Sequence, residues 1–282
     1  MVVTLRAAAT IRGHPRGPER LTLRAIISDI HANLEALEGI LKHIKDQGIT
    51  QIQCLGDVVG YGPNPVECTD IARSSVEWCL LGNHDEAVVD EVVGGIGFNP
   101  LARGVIDWHR KELKPGWLSN RQRKDRWDWL RGLPRLKKEG EFMYVHGSPR
   151  DPTMEYVLRS DCEDLMGGIP DKIRECFEKM EQSWICFNGH THDPGVITDD
   201  GKFHTPAELN MEYKFEQGKK ALINVGSIGQ PRDGDPRSCY VTIEGDQLKY
   251  HRVEYDWKKT ADKIRGISAI DPRMGDRLGL GR

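Results

Sequence analysis

Apolar and polar positions along the chain fall into short runs separated by polar clusters. Leu21–Ser28 is a mostly apolar stretch with the length of a buried strand. Asn33–Gln47 has helical spacing, with Leu34, Leu37, Leu41 and Ile44 on one face. Asn33 is placed to cap that helix and Gly48 to end it. Ile49–Leu55 and Val76–Leu81 predict two further strands, with a short helix starting at Pro65 between them. Residues from Ala87 to Lys138 are polar, rich in Trp and helical in pattern. Phe142–Val145, Trp184–Phe187 and Ala221–Asn224 read as strands, and Pro170–Glu181 as a helix. A hairpin is expected from Cys239–Ile243 and Leu248–Val253, turning at Gly245-Asp246, followed by a final helix over Asp256–Ile264. Strand-helix-strand alternation at the start predicts parallel pairing, and the late hairpin adds antiparallel character. The expected class is α/β, with mixed sheets packed on each other and helices outside.

Five of these apolar runs end in chemistry. Leu21–Ser28 runs into Asp29-Ile30-His31, Ile49–Leu55 into Gly56-Asp57, and Val76–Leu81 into Gly82-Asn83-His84-Asp85. Phe142–Val145 runs into His146-Gly147, and Trp184–Phe187 into Asn188-Gly189-His190-Thr191-His192. In open α/β sheets ligands bind at the carboxyl ends of strands, so parallel neighbours would bring all five clusters to one crevice. Any one of these residues taken alone reads as a turn former, a cap or a satisfied histidine. The joint pattern does not. Carboxylates, imidazoles and one amide without thiolate suit divalent manganese, iron or zinc. Asp29 with His31, and His190 with His192, each sit two apart, which puts both side chains on one side of an extended chain. Gly56, Gly82, Gly147 and Gly189 beside them allow the backbone to turn in a crowded place. His14, His43, His109, His204 and His251 carry no such pattern and are left as surface or core residues.

These motifs closely resemble those of the calcineurin-like metallophosphoesterases. They stand here as SDIHAN (28–33), GDVVGYGP (56–63), GNHD (82–85), HGSP (146–149) and GHTH (189–192), in the family's order. The likeness covers about Leu21 to Glu254, and no core motif residue departs from the pattern. The run Asn224–Arg232 also resembles a strand and loop of compact bacterial members in the small cytosolic phosphodiesterase branch. The resemblance implies a four-layer α/β/β/α sandwich with a two-metal centre. One ion would be held by Asp29, His31, Asp57 and His192, and the other by Asp57, Asn83, His146 and His190, with Asp57 shared. Manganese is the expected metal, with iron, zinc or nickel as alternatives.

Two dications would leave the pocket cationic and attract phosphate. They would also acidify water and neutralise charge on phosphoryl oxygens. His84, one residue past Asn83, is expected at the pocket rim as general acid for the leaving oxygen. Asp85 is expected either as its carboxylate partner or as a cap of the next turn. Arg232 is a candidate bidentate phosphate clamp, and Tyr61 is expected to pack. The readings in play are a phosphodiesterase for small nucleotide-like diesters, a dinucleoside polyphosphate hydrolase, a protein phosphatase, and a metal-bound scaffold without turnover.

Composition narrows the partners. The 282 residues carry a net charge of -3, without the basic footprint of a protein that grips nucleic acid. No apolar run approaches a membrane span. The expected partner is a small phosphate ester. An unpaired edge on the Cys239–Val253 hairpin would allow a homo-oligomer. Seven Cys residues without a C-x-x-C pair argue for a reducing compartment, the cytoplasm. Residues 1–20 are expected as a flexible extension, and 21–282 as one domain in which 87–138 is a helical insertion flanking the crevice. Trp108, Trp117, Trp127 and Trp129 of that insertion are expected to pack rather than stack on a base.

Overall fold

The computed structural model describes residues 23–92, 97–163 and 167–282. The expected extension 1–20, and Leu21 and Thr22 of the expected first strand, lie outside them. In chain order the elements open with β1 (Arg24–Ile27), α1 (Leu34–Asp46), β2 (Gln51–Cys54), α2 (Pro65–Ser75) and β3 (Trp78–Cys79). Three helices follow, α3 (Asn83–Val89), α4 (Pro100–Leu113) and α5 (Arg121–Arg131). Next come β4 (Leu136–Glu139), β5 (Phe142–Val145), α6 (Asp171–Lys179), β6 (Ile185–Asn188), β7 (Gly195–Ile197), β8 (Phe203–His204) and β9 (Glu212–Lys214). The chain finishes with β10 (Ala221–Asn224), β11 (Ser238–Glu244), β12 (Gln247–Val253), α7 (Trp257–Arg265) and α8 (Arg273–Asp276).

Two six-stranded sheets form, in the orders β3-β2-β1-β11-β12-β9 and β4-β5-β6-β10-β7-β8. In the first, β1, β2 and β3 are parallel and β11 enters antiparallel beside β1. In the second, β5, β6 and β10 are parallel. Strand periodicity sorts the side chains into layers. Ile26, Val241, Phe142, Tyr144, Ile185, Phe187 and Ile223 point between the sheets into one core. Their neighbours Ala25 and Ile27 face outward onto Leu37, Ile40 and Ile44 of α1. On the far side Met143, Val145, Cys186 and Leu222 meet Ile173, Cys176 and Phe177 of α6. The result is the four-layer α/β/β/α sandwich.

The helix starts follow local chemistry. Asn33 Oδ1 accepts the Ala36 N–H at 3.2 Å, capping α1 as its sequence predicts. Pro65 occupies the first turn of α2. Three expectations need correction. Residues 136–138 belong to strand β4 rather than to the helical insertion, because Leu136–Glu139 pairs antiparallel with β5. The hairpin does not present a free edge along its length, because β9 pairs with Gln247, Leu248 and Lys249 of β12. The helix over Trp257–Arg265 is not the last, since α8 packs back onto it through Gly275 and Met274. Within the insertion Trp127 is buried, and Trp108 and Trp129 pack against core clusters, while Trp117 stays exposed.

Phe187 is the centre of the inter-sheet core, stacked on Tyr144 at 5.4 Å and flanked by Phe142 and Phe215. Phe187→Ala leaves a cavity that flanking strands cannot close. It is expected to lower the unfolding free energy by about 3–5 kcal/mol, read by chemical denaturation.

Candidate active site

The five polar clusters do converge, but from two sheets rather than one. Asp29, Asp57 and Asn83 follow β1, β2 and β3, while His146, His190 and His192 follow β5 and β6 of the facing sheet. Backbone bonds stitch the loops together. Asp29 N–H donates to the Gly56 carbonyl at 3.0 Å, and His31 N–H to the Asp57 carbonyl at 2.9 Å. Across the sandwich, His190 N–H donates to Asp29 Oδ2 at 3.0 Å. The third side is closed by the loop after β10, where Ser227 Oγ and Gly229 N–H both donate to the Asp29 carbonyl.

This packing forces unusual backbone. Asp29, His31, Asp57, His190 and His192 all have positive φ, between 49° and 67°. Each costs about 1 kcal/mol or more for an L residue, and such strain persists only where the surroundings over-determine it. Of the four glycines singled out in the sequence, only Gly56 needs a positive φ, at 107°. Gly82 serves by close approach: a Cβ there would fall 2.1 Å from Asp57 Oδ1.

The imidazoles are aimed by backbone carbonyls. His31 Nδ1 meets the Val59 carbonyl at 3.1 Å, and His146 Nδ1 meets the Leu55 carbonyl at 3.1 Å. His192 Nδ1 meets the Gln230 carbonyl, and His190 Nε2 the Met154 carbonyl at 3.2 Å. A carbonyl only accepts, so each of these nitrogens carries the proton and the opposite nitrogen turns a lone pair inward. Those inward atoms are crowded together. His31 Nε2 lies 2.9 Å from His192 Nε2, and His146 Nε2 lies 3.1 Å from both His190 Nδ1 and Asn83 Oδ1. Asp57 Oδ2 stands 3.3 Å from His146 Nε2 and 3.7 Å from His31 Nε2. Asp29 Oδ1 stands 3.1 Å from His192 Nε2 and has no hydrogen-bond donor, although it is fully buried.

Facing lone pairs on buried acceptors repel unless a cation lies among them. The donor set therefore fits divalent metal, with neutral imidazole, carboxylate and amide oxygen as ligand atoms. Ligand atoms of Asp29, His31 and His192 lie within 4.8 Å of one another, as do those of Asp57, His146 and His190, and those of His31, Asp57 and His84. Charges are tuned to match. Burial pushes His190 and His192 down to about 4 and about 3, so both are neutral at pH 7. His146 is the exception: burial opposes its charge, yet the Asp57 carboxylate overcomes it and lifts that group to about 9, so without a cation its inward nitrogen keeps a proton, which a bound metal would displace.

His84 lies deeper than the rim. Tyr61, Phe98 and His31 surround its ring at centroid distances of 4.4, 4.8 and 5.1 Å. Its backbone N–H donates to Asp57 Oδ1 at 2.9 Å, and its Nδ1 is buried without a partner. Burial pushes its pKa well down, against the pull of Asp57. Asp85 is not its partner. The Asp85 carboxylate accepts from the backbone N–H groups of Val58, Val59 and Gly82 at 3.3, 3.0 and 3.2 Å, which is the capping alternative. A side chain committed to three backbone donors on neighbouring loops cannot also turn to the imidazole. Arg232 does reach the site: its N–H donates to the His192 carbonyl at 3.2 Å and its guanidinium lies 5.6 Å over the Tyr61 ring. Tyr61 packs as expected, against the rings of His31 and His84.

His109 is the buried, satisfied histidine the sequence leaves it as: its Nδ1 accepts from Gly60 N–H at 3.0 Å and its Nε2 donates to the Gly62 carbonyl at 2.9 Å. The residue missed from sequence is Tyr156, whose ring stacks on His190 at 3.7 Å while remaining 41% exposed. It belongs to none of the motifs.

Residues 23–247 match the model of the calcineurin-like phosphoesterase superfamily domain. The chain belongs to that superfamily. It is a phosphoester hydrolase. An uncharacterised protein of Methanocaldococcus jannaschii is 35% identical over 267 residues, covering 92% of this chain and 98% of that one. The crystal structure of a metallophosphoesterase from Sphaerobacter thermophilus superposes with a TM-score of 0.73 at 32% identity, covering 93% of this chain and 99% of that one. A hypothetical protein of Pyrococcus horikoshii shares the fold, with a TM-score of 0.68 at 18% identity over 92% of this chain and 98% of its own.

Asp85→Ala is expected to destabilise the protein by about 1–3 kcal/mol, because three buried N–H groups lose their acceptor. Titration with manganese should show weaker binding, since the Val58–Val59 and Gly82 loops carry Asp57 and Asn83. An unchanged thermal midpoint would refute the capping role.

Proposed function

We propose that the chain is a two-metal phosphodiesterase acting on small, nucleotide-like phosphodiesters. Asp29, His31, Asp57 and His192 would hold one divalent cation, and Asp57, Asn83, His146 and His190 the other, with manganese favoured. The observation that carries this reading is the set of inward lone pairs, above all His31 Nε2 and His192 Nε2 at 2.9 Å with both Nδ1 atoms committed to carbonyls. The solved relative described as a metallophosphoesterase supports it. When bound, such a pair supplies Lewis-acid charge to phosphoryl oxygens and lowers the pKa of water.

The chain's own residues do the rest. Arg232 orients the phosphate by bidentate hydrogen bonds. His84 gives a proton to the leaving oxygen from Nε2, its ring held by Tyr61 and Phe98 and its backbone by Asp57. Its depressed pKa makes it a strong acid once protonated, and an arriving phosphate anion favours that protonation. Asp29, His31, Asp57, Asn83, His146, His190 and His192 are each at most 5% exposed, which suits a small ester better than a phosphorylated protein loop. The seven cysteines are free, and all but Cys162 are buried, in keeping with a reducing, cytoplasmic setting. No helix among the described residues is long and apolar enough to cross a membrane.

The test is hydrolysis of bis(p-nitrophenyl) phosphate with added manganese. The parent should turn it over, chelation should stop it, and His146→Ala should lose at least about 100-fold, in line with loss of a metal ligand. Tight manganese binding without turnover of the diester would refute the phosphodiesterase reading.

His84→Ala separates the proton donor from the metal site. Esters with alkyl leaving groups should slow by about 100-fold or more, while p-nitrophenyl esters, whose leaving oxygen needs no proton, should slow much less. Equal loss on both would refute the acid role.

A further inference from the structure

A cavity of about 680 Å³ opens next to the centre, with Arg159, Asp193, Pro206, Ala207, Met211 and Arg232 in its lining. Sites for small organic molecules fall in the same range, roughly 300–1,000 Å³. Two of its walls start at candidate metal ligands. On one side Asp193 directly follows His192, and the Arg232 N–H donates to the His192 carbonyl at 3.2 Å. The Arg232 guanidinium lies over Tyr61, whose ring packs on His31 and His84, so Arg232 borders both the centre and the cavity. On the other side the Tyr156 ring stacks on His190 at 3.7 Å. Arg159 follows three residues later, at most about 10 Å further on even along an extended chain. A phosphate seated in the centre therefore has its ester substituent within reach of the cavity.

The charges in the lining decide what the cavity can take. Arg252 pairs with Asp233, and Arg237 with Asp235. Arg232 is engaged by the phosphate at the centre. What is left is one guanidinium, Arg159, seated over the Phe203 ring at 5.4 Å, and one carboxylate, Asp193. Their charges cancel, so the cavity suits an uncharged group rather than a further phosphoryl group. Asp193 is half-buried, and among the described residues no side chain donates to its carboxylate. An ionised carboxylate only accepts hydrogen bonds, so the group it meets must donate. Pro206 and Met211 supply apolar surface in the same cavity.

We propose that this cavity is the subsite for the nucleoside of the substrate, in which the Asp193 carboxylate accepts hydrogen bonds from the ribose hydroxyls. The subsite rests on the phosphodiesterase reading of the centre, which places the phosphate there. The two oxygens of one carboxylate can take both hydroxyls of a ribose. The apolar wall of Pro206 and Met211 faces the base. Asp193 is thus a specificity-determining residue. It selects ribose over a sugar without hydroxyls, and it touches the substrate away from the bond that breaks.

The probes are AMP and its 2′,3′-dideoxy analogue, at constant free manganese, against the full-length manganese-loaded protein. Two readouts are used: competition with bis(p-nitrophenyl) phosphate, and the rise in thermal midpoint caused by each nucleotide. The parent should bind AMP about tenfold or more tighter than the analogue, the contribution of hydrogen bonds to a charged group. Asp193→Ala should bring the ratio near one, and Asp193→Asn, which keeps an acceptor oxygen, should retain part of it. Ala207→Trp fills the cavity from an exposed position and should likewise remove the preference. A ratio near one in the parent, or a ratio unchanged in either Asp193→Ala or Ala207→Trp, would overturn the subsite. The midpoint without nucleotide shows whether each variant has folded, and Ala207→Trp serves if Asp193→Ala has not. If the diester is not hydrolysed at all, the phosphodiesterase reading fails, while the thermal midpoints still report on Asp193.

Discussion

One buried carboxylate holds the arrangement together. Asp57 Oδ1 accepts the His84 N–H, and Asp57 Oδ2 faces His146 from the opposite sheet and His31 from its own. A carboxylate this deep would ordinarily be neutral, because burial disfavours its charge. The surrounding imidazoles reverse that and hold Asp57 well below the usual carboxylate range. The ion fixes where three loops meet. Gly82 must lack a side chain because Asp57 fills the space, and Asp85 must cap the Val58 and Gly82 backbones because they flank it.

The strain around it follows from the same constraint. An extended chain running on past β1 would put Asp29 and His31 on one side, as their spacing predicts, but neither residue is extended. Left-handed backbone at Asp29 and His31 redirects both side chains, and the same device recurs at His190 and His192. Bonds from Gly229, Ser227 and Gly56 to the Asp29 backbone supply the rigidity that keeps those conformations populated.

Much of this was readable from the chain. The seven candidate ligand positions announce themselves because they interrupt apolar strands at their carboxyl ends, and Asn33 and Pro65 mark helix starts by local chemistry alone. What stayed hidden depends on distance in space. Short strands such as β7, β8 and β9 have two or three residues, too few to show a period. The choice between the two readings of Asp85 needed the positions of the Val58 and Val59 N–H groups, more than 25 residues away. Tyr156 stacks on His190 from an irregular segment, and the carbonyls that orient the imidazoles have no side-chain signature at all. The depth of His84 is set by Phe98 from the helical insertion, whose docking no local pattern reveals.

The central position of β1 has a bearing on how the protein is made. Its two neighbours are β2, which follows within thirty residues, and β11, which arrives more than two hundred residues later. The backbone partners of Asp29 in the loop at 227–229 come equally late. A chain emerging from the ribosome therefore carries an open sheet, with Asp29 lacking its partners at 227–229 and His31 facing no His192, until nearly all of it has been synthesised. Assembly of the centre is coupled to completion of the sandwich, so ligand geometry is a property of the finished fold and no amino-terminal fragment can possess it.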